Sequence, residues 1–396
     1  MKLKKLLALL LALSMVFALA ACGNNNGDNT QTPSDPGTAT SDPVEEESGE
    51  PAPEPVTLNV AYMPNYGSLW AVIAAQELGY FEEEGITLNL MSFDSGPVII
   101  SAMESGSVDF GYIGDGAHKL CVQGQAEIIG LSHISNGDAV IGGPNVTKLE
   151  DLAGKTVAYS SGTSSETILT NALNSVGLTM ADITPMDMDA ANVVTAMLSG
   201  GVDACAIWSP QSLTILDEME NATKLAENTD FSDISVSLAS WIVMPEYLEA
   251  NHDVAVRFMR ALLKAMDYAA LEENYEEVSG WVADFLALDV EDVLMQARGD
   301  ADWLTGKEVL AGIEDGTVDG YYELQQEMMV NSGAITEEEK CPSATTSTTT
   351  SSPRPATTKA AAGYQTDFCL ARGGGGTPPP LTSWALSRRD NGIRDF

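Results

Sequence analysis

Few side chains in this sequence have the type and spacing that catalysis needs. The three histidines, His118, His133 and His252, stand far apart, and none has the spacing of a metal-ligand pair. Residues 159–166, "YSSGTSSE", are rich in hydroxyls, but the run is not a G-x-S-x-G elbow and no partner base accompanies it. Hydroxyls and free backbone N–H groups of this kind either start a capped helix or also hold the polar end of a small ligand. Asp187 and Asp189 in "MDMDAAN" lack the glycine and the closing glutamate of a calcium loop, so no metal is expected there, and no cofactor anywhere. Asp115, just after Gly114, is a helix cap or a ligand contact. Tyr66, Trp70, Trp208 and Trp241 can wall a cleft or fill a core. Trp70 sits in an apolar run and reads as core, Trp208 beside Ser209-Pro210 has equal claim to either role, and Trp241 is intermediate. Groups like these bind; they do not turn a substrate over.

Placing them takes elements, and the sequence alternates two kinds. "VTLNVAY" (Val56–Tyr62) reads as a strand, followed by the turn "MPNYG" and an apolar helix over 68–78 that Gly79 closes. A second strand is expected over 86–93. A helix then starts at Ser95, with Pro97 suited to its first turn. Strand 108–114, a helix near 118–123 and the strand "AEIIGLSHI" complete a βαβ series with a mainly parallel sheet. The pattern restarts at Leu149: strand 156–160, the Ser/Gly/Thr loop, then a helix on which Thr163 and Glu166 have capping-box spacing and Ile168, Leu169, Ala172, Leu173 and Val176 repeat with helical period. The strand "ITPMDMD", the helix "ANVVTAMLSGG" and the strand "VDACAIW" come next. "SGSVDFGYIGD" and "SGGVDACAIWS" are parallel in kind, which predicts equivalent positions in two similar lobes. "SVSLASWIVM" should carry the chain back to the first lobe, and amphipathic, acid-faced helices fill the rest. Open α/β sheets hold ligands beyond the carboxyl ends of their strands. The candidate ligand contacts are therefore Asn65, Tyr66, Gly96, Gly114, Asp115, Ser161, Gly162, Thr163, Ser164, Asp189, Trp208 and Trp241, facing each other across a cleft.

The ends of the chain say where it works. Lys2, Lys4 and Lys5 precede an apolar run over 6–18 and two small residues, the layout of a secretory signal over 1–21 that is short for a permanent membrane span. "LAAC" (19–22) resembles a bacterial lipobox, in which Cys22 is acylated; ordinary cleavage beside an incidental cysteine is the alternative. Acyl chains contribute about 0.8 kcal/mol per buried methylene, enough for two or three to hold a domain at a membrane. Residues 22–55 are rich in Pro, Ser, Thr, Gly and acid and are expected to be a disordered tether. The net charge of −38 argues against nucleic acid and against direct docking on anionic lipid. Five cysteines make no disulfide framework, and Cys121 and Cys205, in apolar settings, read as buried thiols. Residues 56–340 exceed one ordinary core, so two lobes are expected: 56–142 with 239–340, and 143–238, hinged near 141–148 and 233–238. From 341 to 396 the acid bias vanishes, with six Lys/Arg against three Asp/Glu in a Thr/Pro/Gly-rich stretch. A frameshifted or artefactual end fits that break better than a natural stalk.

"AAQELGYFEEEGI", "GSVDFGYIGDG", "LAGKTVAYSSGTSSE" and "LSGGVDACAIWSP", in this order and spacing, resemble the substrate-binding proteins of ABC importers for nitrate, alkanesulfonates and taurine, with thiamine-pyrimidine binders as near relatives. The likeness spans nearly all of 56–335, and the Thr/Pro tail departs from it. The resemblance implies a two-lobed, type II periplasmic-binding-protein-like α/β fold. It implies a monomer outside the cytoplasm, anchored to the membrane through lipid alone, that takes a small organic solute of the sulfonate, taurine or nitrate kind to a permease. The candidate loops carry no Lys or Arg, with Lys119 the nearest, so aromatics and carboxylates could instead hold a pyrimidine or a flavin-like ring. A thiamine-pyrimidine synthase would have no use for a signal and lipobox, and no enzyme is expected. A ligand-sensing lipoprotein on the same fold is the remaining alternative.

Overall fold

The computed structural model describes residues 53–341; the expected signal, Cys22, most of the acidic tether and the tail beyond Cys341 lie outside the described residues. Among the described residues no helix is long and apolar enough to cross a membrane.

Two mixed sheets organise the chain. In the first, β1 (Val56–Tyr62) pairs in parallel with β2 (Ile86–Ser92) and with β3 (Phe110–Ile113). β10 (Leu238–Val243) lies antiparallel between β3 and β4 (Glu127–Ser135), and β11 (Ala301–Trp303) adds an edge against β4. The order is β11-β4-β10-β3-β1-β2. The second sheet has the order β7-β6-β8-β5-β9, built from β5 (Ala139–Gly142), β6 (Thr156–Tyr159), β7 (Thr184–Asp187), β8 (Ala204–Ile207) and β9 (Thr223–Glu227). β5, β9 and β11 were not expected from the pattern; they hold four, five and three residues, too few to display a period.

Both faces of the second sheet are covered, and the alternation along its strands shows it. Val140, Val157, Ala204 and Ala206 belong to one apolar cluster, while their chain neighbours Ile141, Ala158, Cys205 and Ile207 belong to another. The first sheet sits in one larger core that takes in Trp70, Phe110, Trp241, Phe258 and Trp303, with helices such as His252–Ala269 packed on it. Cys121 and Cys205 are buried free thiols.

The two Val-Asp segments do occupy equivalent places. β3 and β8 each run parallel to one neighbour (β1 or β6) and antiparallel to another (β10 or β5). Asp109 accepts from the Asn59 backbone N–H at 2.8 Å, and Asp203 from that of Thr156 at 2.9 Å, so each aspartate ties its strand to the neighbouring parallel strand. The chain leaves the first sheet after Ser135 and is already paired in the second at Ala139. The crossing is therefore 136–138, ahead of the 141–148 segment expected from the restart of the pattern. The helix Thr317–Asn331 comes last and packs back on the first sheet, with Tyr322 and Ser240 sharing a hydroxyl–hydroxyl hydrogen bond of 2.7 Å.

A cleft lined by carboxylates

Loops at the carboxyl ends of strands from both sheets converge on one cleft that is partly open to solvent. After β1, Asn65 caps the helix Tyr66–Glu77 by accepting from the Ser68 N–H at 2.9 Å. After β2, Gly96 and Pro97 open the helix Gly96–Glu104. After β3 come Gly114 and Asp115. After β6, Thr163 accepts from the Ser165 N–H at 3.3 Å and donates to the Ser160 carbonyl at 2.8 Å. The expected capping box is incomplete: Glu166 accepts from the Gly162 N–H at 2.8 Å, one residue before the cap. Trp208 and Ser209 come after β8. Gly116 sits where the two lobes meet, since a Cβ there would stand 2.6 Å from the Thr163 Cα.

Three aspartates line this cleft, Asp115 and Asp138 buried and Asp300 half-buried, and no Lys or Arg does. Asp138, in the crossing segment, is held on all sides. Its Oδ1 accepts from the Ser164 hydroxyl at 2.5 Å, and its Oδ2 from the Asn228 amide at 2.9 Å and the Ser237 hydroxyl at 3.2 Å. Burial raises its carboxyl above the ordinary range, and those three donors oppose the rise. Asp115 accepts from the Gln325 amide through Oδ1, while Oδ2 has no partner. Burial is the main reason that its carboxyl stands at about 6. Burial likewise lifts Asp300 to about 7, opposed by the Ser209 hydroxyl and reinforced by the charge of Asp138. Aromatic faces complete the wall. His133 stacks on Tyr112 with centroids 6.1 Å apart and meets Trp303 at 4.7 Å. Burial holds His133 down at about 3, so its ring is neutral near pH 7. Ionised carboxylates in a site without cations are costly unless a ligand brings positive charge or N–H donors.

Of the twelve residues expected to meet ligand, Asn65, Gly96, Gly114, Asp115, Thr163, Ser164 and Trp208 line the cleft. Five do not. Tyr66 is core: its ring packs edge-on against Trp303 at 5.1 Å, because the first turn of its helix faces inward. Trp241, central in β10, packs edge-on against Tyr112 at 5.7 Å and Phe258 at 5.6 Å. Asp189 caps the helix Ala190–Leu198, accepting from Asn192 N–H at 2.9 Å and from its side-chain amide at 2.7 Å. Ser161 turns its N–H to Asp187 at 2.9 Å, and Gly162, with φ of 71°, supplies the left-handed turn before the helix. Trp70 is core as expected, its indole N–H donating to Ser132 at 3.2 Å. The residues that sequence reasoning missed include Tyr112, His133, Asp138, Asp300 and Trp303. One signal was available: all three cleft acids come directly after a glycine, at Gly114-Asp115, Gly137-Asp138 and Gly299-Asp300, and these are the Gly-Asp pairs of the globular region.

The NMT1/THI5 like family model matches residues 68–273, just over half of the chain. A binding protein of Brucella abortus is 29% identical over 280 residues, covering 71% of this chain and 87% of that one. A Bacillus subtilis protein named for binding aliphatic sulfonates is 28% identical over 303 residues, covering 72% of this chain and 81% of that one. The alkanesulfonate-binding protein of Xanthomonas axonopodis pv. citri, solved with MOPS bound, superposes with a TM-score of 0.53 at 24% identity over 69% of this chain and 95% of its own. These relatives are named as binding proteins, and the superposition carries the type II two-lobed α/β fold.

Proposed function

The chain belongs to the NMT1/THI5-like family, and from that premise we propose that it captures a cationic or donor-rich nitrogen heteroaromatic, of the pyrimidine class, outside the cytoplasm. At the coarser level it is a solute-binding protein of the sulfonate, taurine and nitrate type of ABC importer family, and not an enzyme. One observation carries the finer reading. The cleft holds Asp115, Asp138 and Asp300 and no Lys or Arg. A ring with exocyclic amines would give N–H donors to those oxygens and lay its faces against Tyr112, His133, Trp208 and Trp303. Capture would close the lobes over it, and a permease would receive it. The leader 1–21, the acylated Cys22 and the tether 22–55 would keep the receptor at the membrane surface.

A sulfonate is the second reading, favoured by the name of the Bacillus subtilis relative. It would have to rely on helix N-termini and hydroxyls, worth about 0.3–1 kcal/mol each when exposed, against the repulsion of the carboxylates. Taurine softens that objection, because its ammonium could face the acids. A thermal-shift screen separates these readings: 4-aminopyrimidine, thiamine and riboflavin on one side, taurine, MOPS and nitrate on the other. Stabilisation by the nitrogen heteroaromatics and by none of the anions is the expected result; stabilisation by nitrate or a simple sulfonate alone overturns it. Cys22→Ser should move the protein from the detergent phase to the aqueous phase with its melting temperature unchanged, and unchanged partitioning would refute the anchor.

A further inference from the structure

Asp115 owes its setting to the far end of the chain. Gln325, 210 residues away on the helix Thr317–Asn331, reaches into the first lobe with its side-chain amide fully buried. Its Nε2 donates to Asp115 Oδ1 and, at 2.9 Å, meets Nδ1 of His118. Burial holds His118 down at about 3, so the ring is neutral near pH 7. An N–H donor facing Nδ1 then fixes the ring proton on Nε2, which has no partner. The carboxylate settles which way the glutamine points, and the ring, accepting at Nδ1, holds the amide there. An acceptor at Nδ1 and an acceptor at Asp115 both demand the NH2 end of the amide, and a flipped Gln325 would set its carbonyl oxygen against a carboxylate. His118 is itself braced edge-on by the Tyr322 ring, one helical turn before Gln325, at 5.9 Å.

The consequence falls on the other carboxylate oxygen. With Oδ1 tied to Gln325, Oδ2 is left buried without a partner in a residue that lines the cleft. Smaller hydrogen-bond contributions from Thr167 of the second lobe and from the Leu238 backbone also favour the charged form of Asp115, and the charge of Asp138 opposes it. Gln325 is thus the largest of the hydrogen-bond contributions that favour the charge of this carboxylate, and the side chain that holds its Oδ1. We infer that Gln325, held by His118, is a positioning residue for solute capture: it holds Asp115 so that Oδ2 is presented to a positively charged or N–H-bearing group of the ligand. This rests on the nitrogen-heteroaromatic reading of the cleft for the ligand, though not for the placement of the carboxylate. Gln325 lies beyond the residues that the family model matches, so the motif segments give no hint of it.

The test has one arm without ligand and one with it. In protein labelled at the aspartate carboxyl carbons, with the Asp115 resonance assigned by its loss in Asp115→Asn, the titration midpoint of Asp115 is measured in the parent protein, in Gln325→Leu and in His118→Phe. The midpoint should rise in both variants, because each removes or disorients the donor to the charged form. In the second arm 4-aminopyrimidine is titrated calorimetrically across the same pH range. Gln325→Leu should bind about tenfold more weakly, the loss expected for a hydrogen bond to a charged group. An Asp115 midpoint that stays in place in both variants overturns the positioning role, whatever the ligand. A raised midpoint with no binding of 4-aminopyrimidine by the parent protein upholds the positioning of the carboxylate and overturns the ligand reading instead. Two substitutions are used so that poor folding of one, seen as a lowered melting temperature without ligand, leaves the other to decide.

Discussion

The two lobes repeat one motif and use it differently. β3 and β8 have equivalent neighbours, and Asp109 and Asp203 tie them down in the same way. The loops at their carboxyl ends differ. β3 runs into Gly114 and Asp115, a buried acid, while β8 runs into Trp208 and Ser209, an aromatic and a hydroxyl. The rest of the cleft keeps to that division. The first lobe adds Tyr112, His133, Asp300 and Trp303, and the second adds Thr163 and Ser164, so the titratable groups stand on one wall and on the crossing segment. A repeated fold unit has thus been specialised, one lobe supplying charge and the other neutral donors and stacking surface. The common scaffold explains the geometry, and the loops alone explain the chemistry.

Neutralising one wall is the most direct way to break this comparison. Asp115→Asn should weaken 4-aminopyrimidine by about a hundredfold, since removing one partner of a buried charge pair typically costs about 2–5 kcal/mol. The same change should leave binding of methanesulfonate, an anion without an ammonium, equal or tighter, so a fall for both ligands would mean that Asp115 is a structural acid. On the opposite wall, Trp208→Ala should cost 4-aminopyrimidine about 2 kcal/mol, roughly thirtyfold, through lost stacking area, and should weaken methanesulfonate too, through lost apolar contact. Calorimetry on the two variants would show whether the first discriminates between ligands and the second does not.

Much of this division could be read in the sequence, and the failures have a physical pattern. Strands of seven residues such as β1 and β2 announce themselves, and loops after parallel strands point to the cleft by topology alone, which found Asn65, Gly96, Asp115, Thr163, Ser164 and Trp208. Asp138 and Asp300 come from a lobe crossing and from the joint before β11, neither of which is a βα loop, and so that rule passed over them. The exchange of Tyr66 for Trp303 is a matter of packing. Both rings meet at 5.1 Å, and which of two neighbours reaches the cleft depends on a helix starting earlier than its apolar run suggested. Asp189 and Asp115 look alike as acids at strand ends. The first is an ordinary exposed cap, and only the distant helix bearing Gln325 makes the second something else.

A third change tests whether the two walls act together. Gly116 and Thr163 face each other across the lobes, and an added Cβ would fall 2.6 Å from the Thr163 Cα, with no positive φ at Gly116 to confuse the result. Gly116→Ala should therefore weaken every cleft ligand by about tenfold, the usual range for overpacking, while an open, ligand-free form keeps its melting temperature. Scattering should show less compaction on binding. A ligand-free melting temperature that falls by as much as the affinity would mean that the lobes are always in contact, and that the cleft does not close.

The smallest signal is also the one that reads the asymmetry most cleanly. Burial holds Asp115 at about 6 and Asp300 at about 7 in the empty cleft, so near pH 6.5 both are partly protonated. A bound cation favours their charged forms and pulls both midpoints down, which releases protons. An anion pushes the midpoints up and takes protons in. Calorimetry in two buffers of different ionisation heat counts those protons. For an N-methylated 4-aminopyrimidinium, whose charge is fixed, protons should be released near pH 6.5, and the release should shrink as the pH rises above the midpoint of Asp300. Asp300, with the higher midpoint, supplies more of the release than Asp115, so Asp115→Asn should remove the smaller part of it. Trp208→Ala should leave the count unchanged while lowering the affinity, because the wall contributed by the second lobe has no group that titrates there. Proton uptake with any tightly bound ligand would reverse the assignment and make the acid wall a barrier to be neutralised by protons rather than the feature that selects the solute.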